Sequence, residues 1–171
     1  MSRRSSCNIP FALPHNLAGA MSVKVLDKNV FKTVFHVPAL RIESKLCSLF
    51  IKQLQHNLLN RPRIKNVMLD PEKQNGKKVL LLNPSKKISD WPVKEKELVV
   101  NHGAEEIEFD LVLNYEHWTA EEILRAILPA EVTEIPSAFE TIGHIAHVNL
   151  RDVHLPYKNI IGKFSFECDK R

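Results

Sequence analysis

Glycine is scarce in this chain, with five in 171 residues. A phosphate-cradling loop has little to be built from, and neither GxxxxGK[ST] nor GxGxxG occurs. That sets aside P-loop and dinucleotide-binding Rossmann sites. Cysteine is also sparse: Cys7, Cys47 and Cys168 are odd in number, widely spaced and form no CxxC pair. Neither a zinc ribbon nor a disulfide scaffold is supported, and a reducing compartment is expected. Cys47, in an amphipathic segment, reads as a small buried hydrophobe. Aromatic residues make up 7% and are scattered, which argues against a single-strand stacking platform. No apolar run reaches the length of a membrane span; "VVNHGAEEIEFDLVL" is interrupted repeatedly, and no membrane partner is expected.

Catalytic constellations are missing as well. Ser137 and Ser165 have no nucleophile-elbow context, and GxSxG is absent. His144 and His147 form an HxxH, but "IAHVNL" is strand-like, and an odd offset on a strand sends two side chains to opposite faces. His154 lies seven residues further on, with no cysteine at ligand spacing. No metal is expected, and no set of catalytic or cofactor-binding residues is visible.

What is present is an ordinary globular composition, 44% hydrophobic and 26% charged, enough for one domain or one domain with a partial second. The net charge of +4 and pI near 9.0 favour an anionic partner. The opening "MSRRSSCNIPFALPHNLAGA" carries Arg3 and Arg4 and no acid before Asp27. It reads either as a mitochondrial transit segment or as a basic tail, with Pro10 and Pro14 opposing a long helix. Residence in the mitochondrial matrix, the cytoplasm and the nucleus all stay open.

Periodicity divides the rest. "TVFHVPALRI" reads as a strand that Pro38 places at a sheet edge or bulge. Leu46, Leu49, Phe50, Leu54, Leu58 and Leu59 predict a helix from about Glu43 to Leu59, ended by Pro62. "IKNVMLD" and "KKVLLLN" read as strands joined through Asn75-Gly76, and "PSKKISDWPVKEKE" as a polar loop. "EEIEFDLVLNY" alternates Ile107, Phe109, Leu111 and Leu113 on one face of a strand. "WTAEEILRAILP" is a helix with Thr119 as N-cap, Glu122 closing a capping box and Pro129 as the stop. After a linker, "HIAHVNLR" predicts a strand, "LPYKNIIG" a short helix or turn, and "KFSFECDKR" the beginning of another strand. The expected fold class is mixed α/β: a tail over 1–21, a first domain with a mixed sheet over 22–115, and the start of a second small domain over 116–171, cut short.

Basic residues gather at predicted loop tips. Arg61, Arg63 and Lys65 follow the long helix, Lys77 and Lys78 follow a turn, and Lys86 and Lys87 sit in the next loop. Such groups can grip phosphates. They can equally be a solvated face, because Glu72, Asp90, Glu95 and Glu97 are interspersed.

The segment "FETIGHIAHVNLRDVHLPYKNIIGK" resembles the block F-x-x-I-G-H-I-A-H-x-N-L-R followed by L-P-[YF]-K-x-x-I-G of the archaeal and eukaryotic tRNA guanine-N1 methyltransferases. Here it is Phe139, Ile142, Gly143, His144, Ile145, Ala146, His147, Asn149, Leu150 and Arg151, then Leu155, Pro156, Tyr157, Lys158, Ile161 and Gly162. "VLDKNVFKTVFHVPALRI", "LLNRPRIKNVMLDPE" and "LNYEHWTAEEILRAILP" are similar too, so the likeness runs from about Val25 to Lys163. The wybutosine-pathway aminocarboxypropyl transferases share the architecture; the wording "IGHIAHVNLR" favours the methyltransferases.

The resemblance implies an N-terminal tRNA-recognition domain that touches the tRNA elbow, then a second domain packed on a Rossmann-like one. That last domain would bind S-adenosylmethionine and methylate the guanine 3′ of the anticodon, at position 37. Its Asn-Pro-Pro-Tyr-type loop and donor-binding segment are absent from this sequence. The reading is therefore an N-terminal portion that binds tRNA as a monomer, binds no methyl donor itself and is inactive alone. Asn149, Arg151, Lys158 and His144 are candidates for orienting RNA or the next domain, with Arg61, Arg63, Lys65, Lys77 and Lys78 as further RNA contacts. A surface ion pair with Asp152 or another neighbour is the alternative for Arg151. A stand-alone non-catalytic tRNA-binding protein, or a truncated remnant, are the alternatives for the whole.

Overall fold

The structure is a computed structural model that describes residues 11–13, 21–22, 25–72, 76–136, 139–142 and 145–162. Its strands are β1 (Met21–Ser22), β2 (Val25–Leu26), β3 (Thr33–Glu43), β4 (Val67–Leu69), β5 (Lys77–Leu81), β6 (Glu105–Leu113), β7 (Phe139–Ile142) and β8 (Ile145–Val148). The helices are α1 (Cys47–Gln53), α2 (Val93–Asn101) and α3 (Ala120–Ile127), with helical backbone again over 158–162. The fold class is mixed α/β. Two compact units emerge: one holds Phe11 and Val34–Val112, the other the described parts of Ala12–Thr33 and Leu113–Arg171.

The first unit is a four-stranded sheet in the order β4-β5-β3-β6. β5 runs antiparallel to both β3 and β4, with Leu40 opposite Leu80 and Val67 also opposite Leu80. Alternation sends Leu40, Ile42, Leu80 and Leu82 to one face, where they pack with Phe50 and Leu54 and with Trp91 and Val99 of the α2 region. Val37, Ala39, Val79 and Leu81, pointing the other way, are buried too. That explains the unbroken apolar run of "VLLL" in β5, since a strand covered on both faces need not alternate.

Three sequence expectations fail here. β3 is an inner strand, although it contains Pro38. Leu82 N–H donates to Pro38 C=O at 2.9 Å, and the reciprocal bond is the one a proline cannot make. Regular pairing with β5 stops at Ala39 opposite Leu81, so the missing donor falls where the ladder ends. The long helix stops at Gln53, because Leu58 leaves it to bridge Leu82 of the sheet while Leu59 N–H bonds Leu81 C=O at 3.1 Å. The polar loop is half helix: Pro92 sets the start of α2, which buries Val99. Cys47 is half-buried against the core, and burial raises its thiol pKa.

The second unit is held by Trp118, fully buried, whose indole N–H donates to Phe31 C=O at 2.9 Å. Phe31 meets Tyr115 edge-to-face at 5.4 Å. α3 starts with the expected capping box: Glu122 N–H donates to Thr119 Oγ1 at 3.2 Å, and Thr119 N–H to Glu122 Oε2 at 2.8 Å. Its inward stripe of Ile123, Leu124, Ala126 and Ile127 is buried. β7 and β8 form an antiparallel hairpin with Phe139 opposite Val148. A 3₁₀ turn over Asp152–Tyr157 and the helical backbone over 158–162 follow, where "LPYKNIIG" predicts a short helix or turn. The segment expected to open another strand, 163–171, lies outside the described residues.

Candidate nucleic-acid interface

The candidate cations fall into three places. Arg61, Arg63 and Lys65 occupy the loop between α1 and β4. Backbone bonds tie this loop to the far end of β5: Leu81 N–H donates to Asn66 C=O at 2.8 Å, and Asn83 N–H to Asn57 C=O at 2.8 Å. The loop with Lys86 and Lys87 leaves from that same end, and Lys86 Nζ donates to His56 C=O at 2.6 Å. Lys77 and Lys78 lie at the start of β5, ~13 Å away at ~3.3 Å per residue. That spacing exceeds the roughly 8 Å screening length of physiological salt. The sequence clusters are thus two ends of one sheet.

The ends differ electrostatically. At the Lys77 end, Arg41 is buried with its guanidinium against Asp70 (3.2 Å), Glu72 (2.7 Å) and Glu105 (3.0 Å). Hydrogen bonds that it donates to Glu72 and then to Glu105 hold it more firmly protonated than a free arginine. Lys77 meets Glu105 at 2.9 Å, and Lys77 followed by Arg41 lowers the Glu105 carboxyl below its ordinary pKa. Lys45 pairs with Glu43 at 2.7 Å. Arg41, Lys45 and Lys77 are thus matched by carboxylates, whereas Lys78 is half-buried and engages none among the described residues. At the other end Lys65, Lys86 and Lys87 are exposed and engage no carboxylate among the described residues. Arg63 is exposed, and half-buried Arg61 lies 5.0 Å over the ring of Phe11.

The remaining candidates sit in the other unit. Asn149 and Lys158 are exposed. Arg151 is exposed and ion-paired with Glu134, so its partner is not Asp152. His144 lies outside the described residues, and His147 is exposed. His154 is buried, with Nδ1 accepting from Arg151 N–H (3.1 Å) and Nε2 donating to Glu134 C=O (2.7 Å). Those partners fix the Nε2–H tautomer and make the ring a tie between two chain segments. Sequence reasoning missed this role, and it missed Arg41, whose acids come from two distant segments, Asp70 with Glu72 and Glu105. It also missed Asn60 and Asn66, although their bracketing of "RPRIK" is visible in the sequence.

A cavity in the first unit does not suit the carboxylate end of a methyl donor. It measures about 330 Å³ and is lined by Pro38, Ala39, Leu82, Ile88, Glu106, Ile107 and Glu108. Its charged side chains are two carboxylates, which would repel the carboxylate of S-adenosylmethionine, and no lining side chain can donate to it. No group of three or more metal-ligating side chains occurs among the described residues, and no helix there is long and apolar enough to cross a membrane.

A mixed α/β fold with a basic end on its main sheet is the class these features define, and comparison with known proteins narrows it. Residues 120–170 match the family model described as "TYW2 N-terminal domain". The tRNA (guanine(37)-N(1))-methyltransferase of Batrachochytrium dendrobatidis is 37% identical over 156 residues, covering 90% of this chain and 32% of the relative. Those of Xenopus tropicalis and Homo sapiens are 39% and 36% identical, over 81% and 90% of this chain and 28% and 30% of their own length. No solved structure matches significantly. Over most of its length the chain is thus similar to tRNA (guanine(37)-N(1))-methyltransferases, and it spans about a third of the length of the curated relatives it matches.

Proposed function

We propose that this chain is the tRNA-binding portion of a tRNA (guanine-N1)-methyltransferase. The complete enzyme would use S-adenosylmethionine to methylate the guanine 3′ of the anticodon. The observation that carries the binding role is the basic end of the sheet, where exposed Lys65, Lys86 and Lys87 engage no carboxylate among the described residues, on a chain similar over 90% of its length to enzymes named for a tRNA substrate. Cations on loops fixed to a rigid sheet suit phosphate contacts, which position an RNA without reading its bases. The misfit of the described cavity to the methyl donor supports placing methyl transfer elsewhere in the complete enzyme.

Two assays test this. The purified chain is titrated with a folded tRNA transcript and with an unstructured RNA of equal length. It is then incubated with tRNA and labelled S-adenosylmethionine. Tighter binding of the folded tRNA with no methyl transfer is the expected result. Equal affinity for both RNAs overturns the recognition role, and incorporation of label overturns the division of labour.

A further inference from the structure

The loop from Asn60 to Asn66 is more firmly built than a solvated connection requires. Asn60 N–H donates to Asn66 Oδ1 at 2.9 Å, and Asn66 Nδ2 donates back to Asn60 Oδ1 at 2.8 Å. Asn60 Nδ2 also donates to Gln55 C=O at 2.6 Å, anchoring the loop to the end of the α1 segment. Inside this clamp Arg63 adopts φ of 65° and Asn60 φ of 46°, a left-handed backbone that non-glycine residues adopt rarely and at a cost. The five residues between the asparagines include three cations.

The adjoining loop is fixed to the same place. Lys86 is held by a carbonyl oxygen, a neutral partner that positions the ammonium without cancelling its charge. The acids at this end are otherwise placed: Asp90 accepts from the hydroxyl of Ser89, Glu95 accepts from Asn57, and Glu106 and Glu108 line the cavity with Leu82 and Ile88, so none of them pairs with Lys65, Lys86 or Lys87. At the opposite end, by contrast, Lys77 and Lys45 are positioned by carboxylates.

We infer that the Asn-clamped loop, with Lys86 and Lys87 beside it, is a preorganised site for the phosphodiester backbone of folded RNA, and that the Lys77 end of the same sheet is not. The inference rests on the tRNA reading above and deepens it by assigning the contact surface. Asn60 and Asn66 are positioning residues: they touch no phosphate but fix the backbone that carries Arg63 and Lys65. Preorganisation of this kind lowers the ordering cost of binding.

The test uses the full chain, a folded tRNA transcript and an unstructured RNA, with affinity measured by fluorescence anisotropy between 50 and 200 mM KCl. Each lost phosphate contact makes the log Kd against log salt slope shallower by about one unit. The triple variant Lys65→Gln/Lys86→Gln/Lys87→Gln should lose about three units of slope, and Lys77→Gln/Lys78→Gln should keep the wild-type slope. Asn66→Ala removes no charge, so it should keep the slope while weakening affinity about 2- to 10-fold. A destabilised fold would instead lower the fraction of active protein, which a melting curve on each variant detects.

If the tRNA binds and the triple variant behaves as wild type, or the Lys77/Lys78 variant loses the slope, the inference is overturned while the tRNA reading stands. If both RNAs bind equally through the clamped loop, the anion site stands and tRNA recognition does not. If neither RNA binds, both are overturned.

Discussion

Replacing His154 tests how the motif-rich end of the described chain is held. The ring is 3% exposed and spends both nitrogens on backbone groups, Arg151 N–H and Glu134 C=O. His154→Leu keeps an apolar side chain of similar size but abandons both partners. Each net hydrogen bond contributes about 1 kcal/mol, so the loss should be about 2 kcal/mol, and more where a freed group cannot reach water. A unit of 60–100 residues shifts by about 4–8 °C per kcal/mol, giving a fall of about 8–16 °C if this unit melts by itself; a chain melting as one body of about 150–250 residues would fall by about 4–8 °C. Differential scanning calorimetry at neutral pH distinguishes these cases. His154→Asn adds a finer check. Its Oδ1 occupies the place of Nδ1 and can still accept from Arg151 N–H, so this variant should recover roughly half of the lost stability. A Leu variant within about 0.5 kcal/mol of wild type, or an Asn variant no better than Leu, would refute the tie.

Three further outcomes are expected. Thr119→Ala removes the acceptor for Glu122 N–H and should cost about 1 kcal/mol, read as a lower denaturation midpoint at unchanged m-value. Phe50→Ala empties a fully buried site in the first unit and should cost about 3–5 kcal/mol, abolishing RNA binding at 37 °C; a variant that still binds would detach the basic loops from the packing of the sheet. Glu105 has its pKa lowered in the folded chain by Lys77 and Arg41, so the unfolded chain takes up the proton first as acid is added. Its contribution is therefore complete at neutral pH and is lost as pH falls below about 4.5 toward the folded value. Melting curves of wild type and Glu105→Gln should converge below that pH, and a gap that stays constant from pH 7 to pH 3 would contradict the pairing.

What could be read in advance was local. Thr119 and Glu122 stand three residues apart, and the capping box they form needs nothing from elsewhere. Ile107 to Leu113 alternates because β6 has two different faces. The failures involve distant partners. Leu58 and Leu59 continue a helical spacing, yet β5 captures them, and the sequence of 43–59 does not contain β5. α2 buries little apolar surface, so its periodicity is faint, and Pro92 was the usable sign. At the candidate interface, the sequence lists the cations but not which carboxylates meet them. In the sequence Lys77 is indistinguishable from Lys65 until Glu105, 28 residues away, is placed beside it. Sorting one basic group from the other needed the strand order.

The only two tryptophans fall one to each compact unit, Trp91 in the first and Trp118 in the second, and both are buried. Each unit thus carries its own intrinsic optical probe. Trp91→Phe leaves emission from the second unit alone, and Trp118→Phe leaves that from the first. Unfolding curves of the two variants, set against backbone circular dichroism, would reveal whether the units come apart together or in succession, without any attached label.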